Sequence, residues 1–192
     1  MPSKVASVAM PSAAPFKVER LSFLLGDWRG VGVMTFNGAT PAVVEYECRQ
    51  MCKLTPDGSR LEFVEFDDNP KTERMFHGEH SFIYVDSTSG ELRLRRHTFL
   101  DSEDRGFLVM EERVEVAEDG KSMTLRSIGG TGVSPLHEGT IQRVGDSELL
   151  EKGRIIMGDR IDPYEVRLVR RSVKQVKRRV ESGKAFAPRG GQ

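Results

Sequence analysis

The sequence predicts an all-β protein: an antiparallel, up-and-down barrel of about ten strands, opened by a short helix and followed by a basic C-terminal helix. Three observations carry that prediction. Turn signals recur at near-even spacing from Asn37-Gly38 to Gly158-Asp159, and nine of them divide residues 27–171 into ten segments. Most segments are rich in Val, Ile, Phe, Tyr and Thr, which suit a pleated, half-buried surface. Several alternate between apolar and polar positions, as a strand with one dry and one wet face must. Many short strands at regular intervals point to a sandwich or a barrel.

In chain order, residues 1–16 are small, Pro-broken and weakly apolar, and read as a disordered leader. They lack the continuous apolar stretch of a secretory signal and the arginines of a transit peptide, which assigns the protein to the cytoplasm. The barrel domain is expected over 17–171. Its opening segment, Val18–Leu25 (VERLSFLL), makes one or two helical turns and stops at Gly26. In Ala42–Leu54, Val44, Tyr46, Cys48, Cys52 and Leu54 share a face opposite Glu45, Glu47, Arg49 and Lys53. In Phe107–Val116, Leu108, Met110, Val114 and Val116 oppose Glu111, Arg113 and Glu115. Gln50 and Glu112 break the pattern by falling on the dry faces. An inward polar residue is costly unless it is paired, or unless the interior holds water or ligand. A barrel with a cavity accommodates this more readily than a tight sandwich. Residues 172–192 read as a basic helix and a disordered tail, with Val173, Val176 and Val180 at helical spacing among Lys174, Lys177, Arg178 and Arg179.

Composition narrows the function classes. The chain has 192 residues, 38% hydrophobic and 30% charged, enough for one domain with its own core. No run approaches the ~18 apolar residues of a membrane helix, so no membrane partner is expected. Cys48 and Cys52, four positions apart on a strand, would have Cα atoms ~13 Å apart, beyond disulfide reach. Two thiols packed on one face suit a reducing compartment. The formal net charge of zero hides an asymmetry: residues 170–192 carry eight Lys/Arg and one Glu, leaving 21 basic and 28 acidic residues before them. That tail holds a single aromatic residue, Phe186, where single-strand nucleic-acid binders interleave several, so no nucleic acid is expected. Its valines either pack on the barrel or leave the tail solvated. A third reading makes it a dock for an acidic partner. A homodimer is compatible with the sequence.

The stretch Phe23-Leu24-Leu25-Gly26-Asp27-Trp28-Arg29-Gly30-Val31-Gly32 resembles the opening of the calycin-type barrels, the lipocalins and fatty-acid-binding proteins. It looks most like the nitrobindin-type barrels and related bacterial lipocalin-like proteins. The similarity extends over residues 21–171, including Arg96-His97-Thr98-Phe99, Gly106-Phe107 and the closing Tyr164–Arg170. Trp28, Gly30 and Gly32 share a face, so the indole can plug one end of the barrel under Arg167 or Arg170.

The resemblance implies a small hydrophobic or amphipathic ligand inside the barrel, and it raises haem as a cofactor. Nitrobindin-type proteins ligate iron through a histidine near the end of the last strand. Residues 160–171 hold none, and Tyr164 is the nearest substitute, so no cofactor is the leading expectation. No metal site is expected either. His77, Glu79 and His80 cannot converge from one strand without a bulge at Gly78, because His80 takes the opposite face. If His97 points inward, it is the best candidate for an acid/base or a ligand hydrogen bond. An inward arginine or tyrosine would hold a carboxylate, with Arg126, Tyr84 and Tyr164 as candidates and Phe82, Met110 and Trp28 as apolar contacts. The alternative is an enzyme (isomerase, cyclase or decarboxylase) using His97 or Tyr164 as acid/base and Arg126 against developing negative charge. No nucleophile elbow, P-loop or GxGxxG is present.

Overall fold

The computed structural model describes residues 18–71, 74–100, 107–130 and 135–171. A 3₁₀ helix, Val18–Leu24, leads into ten strands: β1 (Gly26–Phe36), β2 (Ala42–Leu54), β3 (Leu61–Asn69), β4 (Arg74–Val85), β5 (Leu92–Leu100), β6 (Phe107–Val116), β7 (Ser122–Gly130), β8 (Leu136–Gly145), β9 (Glu148–Met157) and β10 (Arg160–Arg170). Each strand pairs antiparallel with its neighbours in sequence, and β1 pairs with β10 to close the barrel. The meander and its strand count follow the sequence expectation. The opening element is the short helical segment the sequence predicts, wound as a 3₁₀ helix. The leader and the basic C-terminal helix lie outside the described residues.

Alternation sets which residues look inward. On β2, Tyr46, Cys48, Gln50 and Cys52 are buried while Glu45 and Glu47 are exposed. On β5, Leu94 and Thr98 are buried and flank Arg96 on the same face. Shifting any strand by one residue would exchange its two faces, so these apolar positions also pin the register.

One end of the barrel is plugged by the opening helix. Leu21 and Leu24 are fully buried, and the Trp28 indole Nε1 donates to the Leu24 carbonyl at 2.7 Å. Arg170, not Arg167, lies over the indole, its guanidinium carbon 5.3 Å from the ring centroid. Gly26 makes room for it: φ is 142°, and a Cβ there would stand 2.7 Å from Arg170 Nε. Above the plug lies an apolar layer that includes Leu61, Ile83, Leu125, Leu149 and Leu168, all fully buried. The core therefore occupies the plugged half, and the strand ends at Phe36, Asn69, Leu100, Gly130 and Met157 point to the opposite end. Trp28→Ala is expected to cost about 3–5 kcal/mol in urea unfolding, the range for emptying a buried tryptophan site. A loss below about 1 kcal/mol would show that the helix does not plug the barrel.

Candidate functional site

Past the apolar layer the inward positions continue in phase, but the residue types change. On β3, Leu61 and Phe63 give way to Glu65 and Asp67. On β4, Ile83 gives way to Ser81, Glu79 and His77. The same shift runs from Leu94 to Arg96 on β5, Val114 to Glu112 on β6, Ile141 to His137 on β8, Leu149 to Glu151 on β9 and Leu168 to Tyr164 on β10. Seven strands thus deliver polar groups to one layer of the interior, and Gln50 on β2 adds an eighth.

Arg96 is its centre. Nη1 donates to Glu79 Oε2 at 2.6 Å and Nε donates to Glu112 Oε2 at 3.1 Å. Ser81 completes Glu79 by donating to Oε1 at 2.6 Å. Burial alone would raise both carboxyl pKa values, but the Arg96 charge together with His77 and the Ser81 hydrogen bond at Glu79, and with His137 at Glu112, outweighs it and holds both below the ordinary value. From Glu112 a chain runs on: Oε1 lies 2.7 Å from His137 Nδ1, and His137 Nε2 lies 2.6 Å from the Tyr164 hydroxyl. That hydroxyl is also 3.0 Å from Glu151 Oε1. Tyr164 has one proton and can donate to only one neighbour. Burial pushes the Glu151 carboxyl up, toward its protonated form, against the opposing pull of Arg96. With its hydroxyl proton donated to Glu151 Oε1, the Tyr164 oxygen is left to accept from His137 Nε2. Glycine makes the chain possible. Gly153 faces Tyr164 across β9 and β10, and a Cβ there would stand 2.6 Å from its ring.

A second limb lies on β2, β3 and β4. Gln50 Nε2 donates to Glu65 Oε2 at 2.8 Å, and His77 Nδ1 lies 2.9 Å from Asp67 Oδ2. Burial, then the charges of Asp67, Glu151 and Glu79, push the Glu65 carboxyl well up. Burial would lower His77, but the hydrogen bond and charge of Asp67 prevail and raise it. Tyr46 lies over Gly32, where a Cβ would be 2.2 Å from its ring.

Between the two layers is a cavity of about 10 Å³, the room of one water molecule. Glu79, Arg96 and Glu151 line one side, and Phe63, Leu94 and Ile141 the other. Around this cavity the polar side chains of the described residues pair with one another.

The predicted site residues separate accordingly. Tyr164 lies inside, in the chain just described. Met110 is half-buried and in register with Arg96. Trp28 belongs to the plug, in register with Gln50 at the edge of the polar layer. Phe82 and Tyr84 fall on the outer face because Ile83 points in, and Tyr84 donates to Glu111. Arg126 is exposed and faces Glu138 across β7 and β8. His97 falls on the outer face, in register with His80, because Arg96 and Thr98 take the inward positions. His77 and Glu79 look inward and His80 outward, where it bonds Glu62 at 2.8 Å, as simple alternation requires. Sequence reasoning missed Arg96, His137 and the buried carboxylates other than Glu112. The one signal that could have found them was Gln50 and Glu112 on otherwise dry faces.

Removing Arg96 should strand two buried carboxylates. Arg96→Met is expected to cost about 3–5 kcal/mol at neutral pH, as for a buried pair broken on one side. The sign with pH follows from the lowered carboxyl values. Stability from Glu79 and Glu112 is present above the unfolded value of 4.5 and is lost as pH falls through the lower folded values. The gap between wild type and Arg96→Met should therefore shrink in acid, which urea unfolding at pH 7 and pH 3.5 measures. A gap independent of pH would show that Arg96 acts through packing alone.

No protein-family model matches the chain, and no curated protein matches it in sequence. Solved structures do resemble it. Rv2717c from M. tuberculosis superposes with a TM-score of 0.59 at 17% identity, covering 84% of this chain and all of that one. The S-type phycobiliprotein lyase CPES from Guillardia theta gives 0.55 at 10% identity, covering 80% and 92%. A DUF3598-family protein of unknown function from Nostoc punctiforme gives 0.50 at 17% identity, and this chain spans 49% of its length. At these identities the likeness concerns the fold alone, and with the closed ten-strand meander it makes this a calycin-like barrel.

Proposed function

We propose that the barrel binds a small amphipathic molecule at its unplugged half, with the polar layer receiving a neutral or cationic polar end. The observation that carries this is the buried polar layer itself. Ion pairs in a protein interior stabilise no better than apolar side chains of the same volume, so the fold has no need of them. The cavity beside Arg96, polar on one wall and apolar on the other, supports an amphipathic guest. The guest's charge follows from what is already paired. Arg96 is held by Glu79 and Glu112, His137 by Glu112 and His77 by Asp67. Among the described residues of the polar layer a carboxylate guest would find the cations engaged, and Arg126 stands outside. One of the similar barrels is a phycobiliprotein lyase, which supports reading this one as a holder of small molecules. Because the cavity is water-sized, binding requires side chains around it to move.

Haem does not fit these residues. β10 has no histidine, Tyr164 is engaged by His137 and Glu151, and both nitrogens of His137 are engaged in turn. A nitrobindin-like activity is therefore not carried further. The enzyme reading keeps one favourable observation, the Glu151–Tyr164–His137–Glu112 chain, which could hold and move a proton at the Tyr164 oxygen. An isomerase, cyclase or decarboxylase would use that oxygen, not His97.

Native mass spectrometry of the purified protein, followed by titration with matched long-chain amines, alcohols and carboxylates, tests the reading. Binding of an amine or alcohol is expected, weakened about tenfold by Tyr164→Phe, one buried hydrogen bond's worth, and unchanged by Arg126→Ala. Preference for the carboxylate, or no binding across the series, would overturn it. Chemical conversion of a bound molecule that stops in Tyr164→Phe would favour the enzyme.

A further inference from the structure

The second limb of the polar layer carries more than hydrogen bonds. The β2–β3 register sets Cys48 beside Asp67, and the β3–β4 register sets Asp67 beside His77. A thiol, a carboxylate and an imidazole thus form one inward row across three strands. Glu65, two residues before Asp67, shares their face. The concave wall draws the side-chain ends together: one donor atom each from Cys48, Glu65 and Asp67 lie within 4.8 Å of one another. His77 Nδ1 is 2.9 Å from Asp67 and 3.9 Å from Glu65 Oε1. The β3–β4 ladder shifts register immediately beyond Asp67, an irregularity that re-aims side chains.

A second observation is independent of this clustering. Asp67 is 5% exposed, and its Oδ1 has no hydrogen-bond partner among the described residues. Gln50 Oε1, on the next row, is likewise buried and unpartnered. Oxygens left bare in a protein interior are costly, and a cation is the group that satisfies them without adding a further acceptor.

We propose that Cys48, Glu65 and Asp67, joined by a small movement of the neighbouring His77 away from its hydrogen bond to Asp67, form a binding site for a divalent transition metal of the zinc class. The donor set decides the class. Thiolate, imidazole and carboxylate together match zinc and its neighbours, whereas calcium and magnesium take oxygen ligands. Binding is a proton exchange. The metal forms a bond to Cys48 sulfur as the thiol proton leaves, and a bond to His77 nitrogen as the proton shared with Asp67 leaves when that ring is charged. Cys52 provides an internal control. It is equally buried on the same face of β2, but one layer down, where burial alone perturbs it. This site does not depend on the amphipathic-ligand reading.

The test is titration of chelator-treated full-length protein with Co²⁺, then Zn²⁺. One equivalent of Co²⁺ is expected to give a near-ultraviolet thiolate-to-cobalt band and to be displaced by one equivalent of Zn²⁺. Cys48→Ser should remove the band, and Asp67→Asn should weaken binding at least tenfold with the far-ultraviolet circular dichroism unchanged. Cys52→Ser should leave both band and affinity as they are. Absence of saturable binding at micromolar metal, a band that survives Cys48→Ser, or a band lost in Cys52→Ser would each overturn the proposal.

Discussion

The Arg96 guanidinium, held between Glu79 and Glu112, is the constraint on which the interior depends. It is the cation that lets two carboxylates stay ionised where water is excluded, and it fixes the end of the chain through His137 and Tyr164 to Glu151. Breaking such a group on one side is costly, while replacing all of it with apolar side chains is often neutral or better. Stability alone therefore gives no reason for its presence. What it provides is a set of oriented donors and acceptors at fixed positions, the usual requirement for recognition or proton movement in a buried site.

The barrel divides this work between its halves. The plugged half, with Trp28 sealed by Leu24 and Arg170, is a compact apolar core whose burial supplies most of the folding free energy. That half can carry the cost of desolvating charges in the other. The division also explains why the polar layer sits where it does. On seven strands the inward run is apolar at the plug and changes to polar toward the open end, so alternation along single strands is enough to layer the interior.

Much of the fold was legible in the chain. Evenly spaced turns and alternating segments gave ten strands and their order, and the Gly26-Asp27-Trp28 opening gave the plug. The site was less legible, for a physical reason that particular residues make plain. β5 reads Leu-Arg-Leu-Arg-Arg-His-Thr-Phe, with charged residues on both faces, so alternation could not choose between Arg96 and His97. Only Leu94, packed inside, settles the phase. The same ambiguity sent Phe82, Tyr84 and Arg126 inward on paper and outward in space. Gln50 and Glu112 were the exceptions, because their strands are apolar enough for a misplaced polar residue to stand out.

By itself the sequence determined strand number, strand order and the sealed end, since each rests on local turn chemistry, on period-two patterning or on a contiguous motif. It also determined that two polar residues on dry faces needed partners. Only the tertiary structure decided who those partners are. Arg96, His137, Tyr164 and Glu151 come from four strands, and Cys48, Asp67 and His77 from three. Their meeting depends on closure and cross-strand register, which no local stretch of sequence encodes.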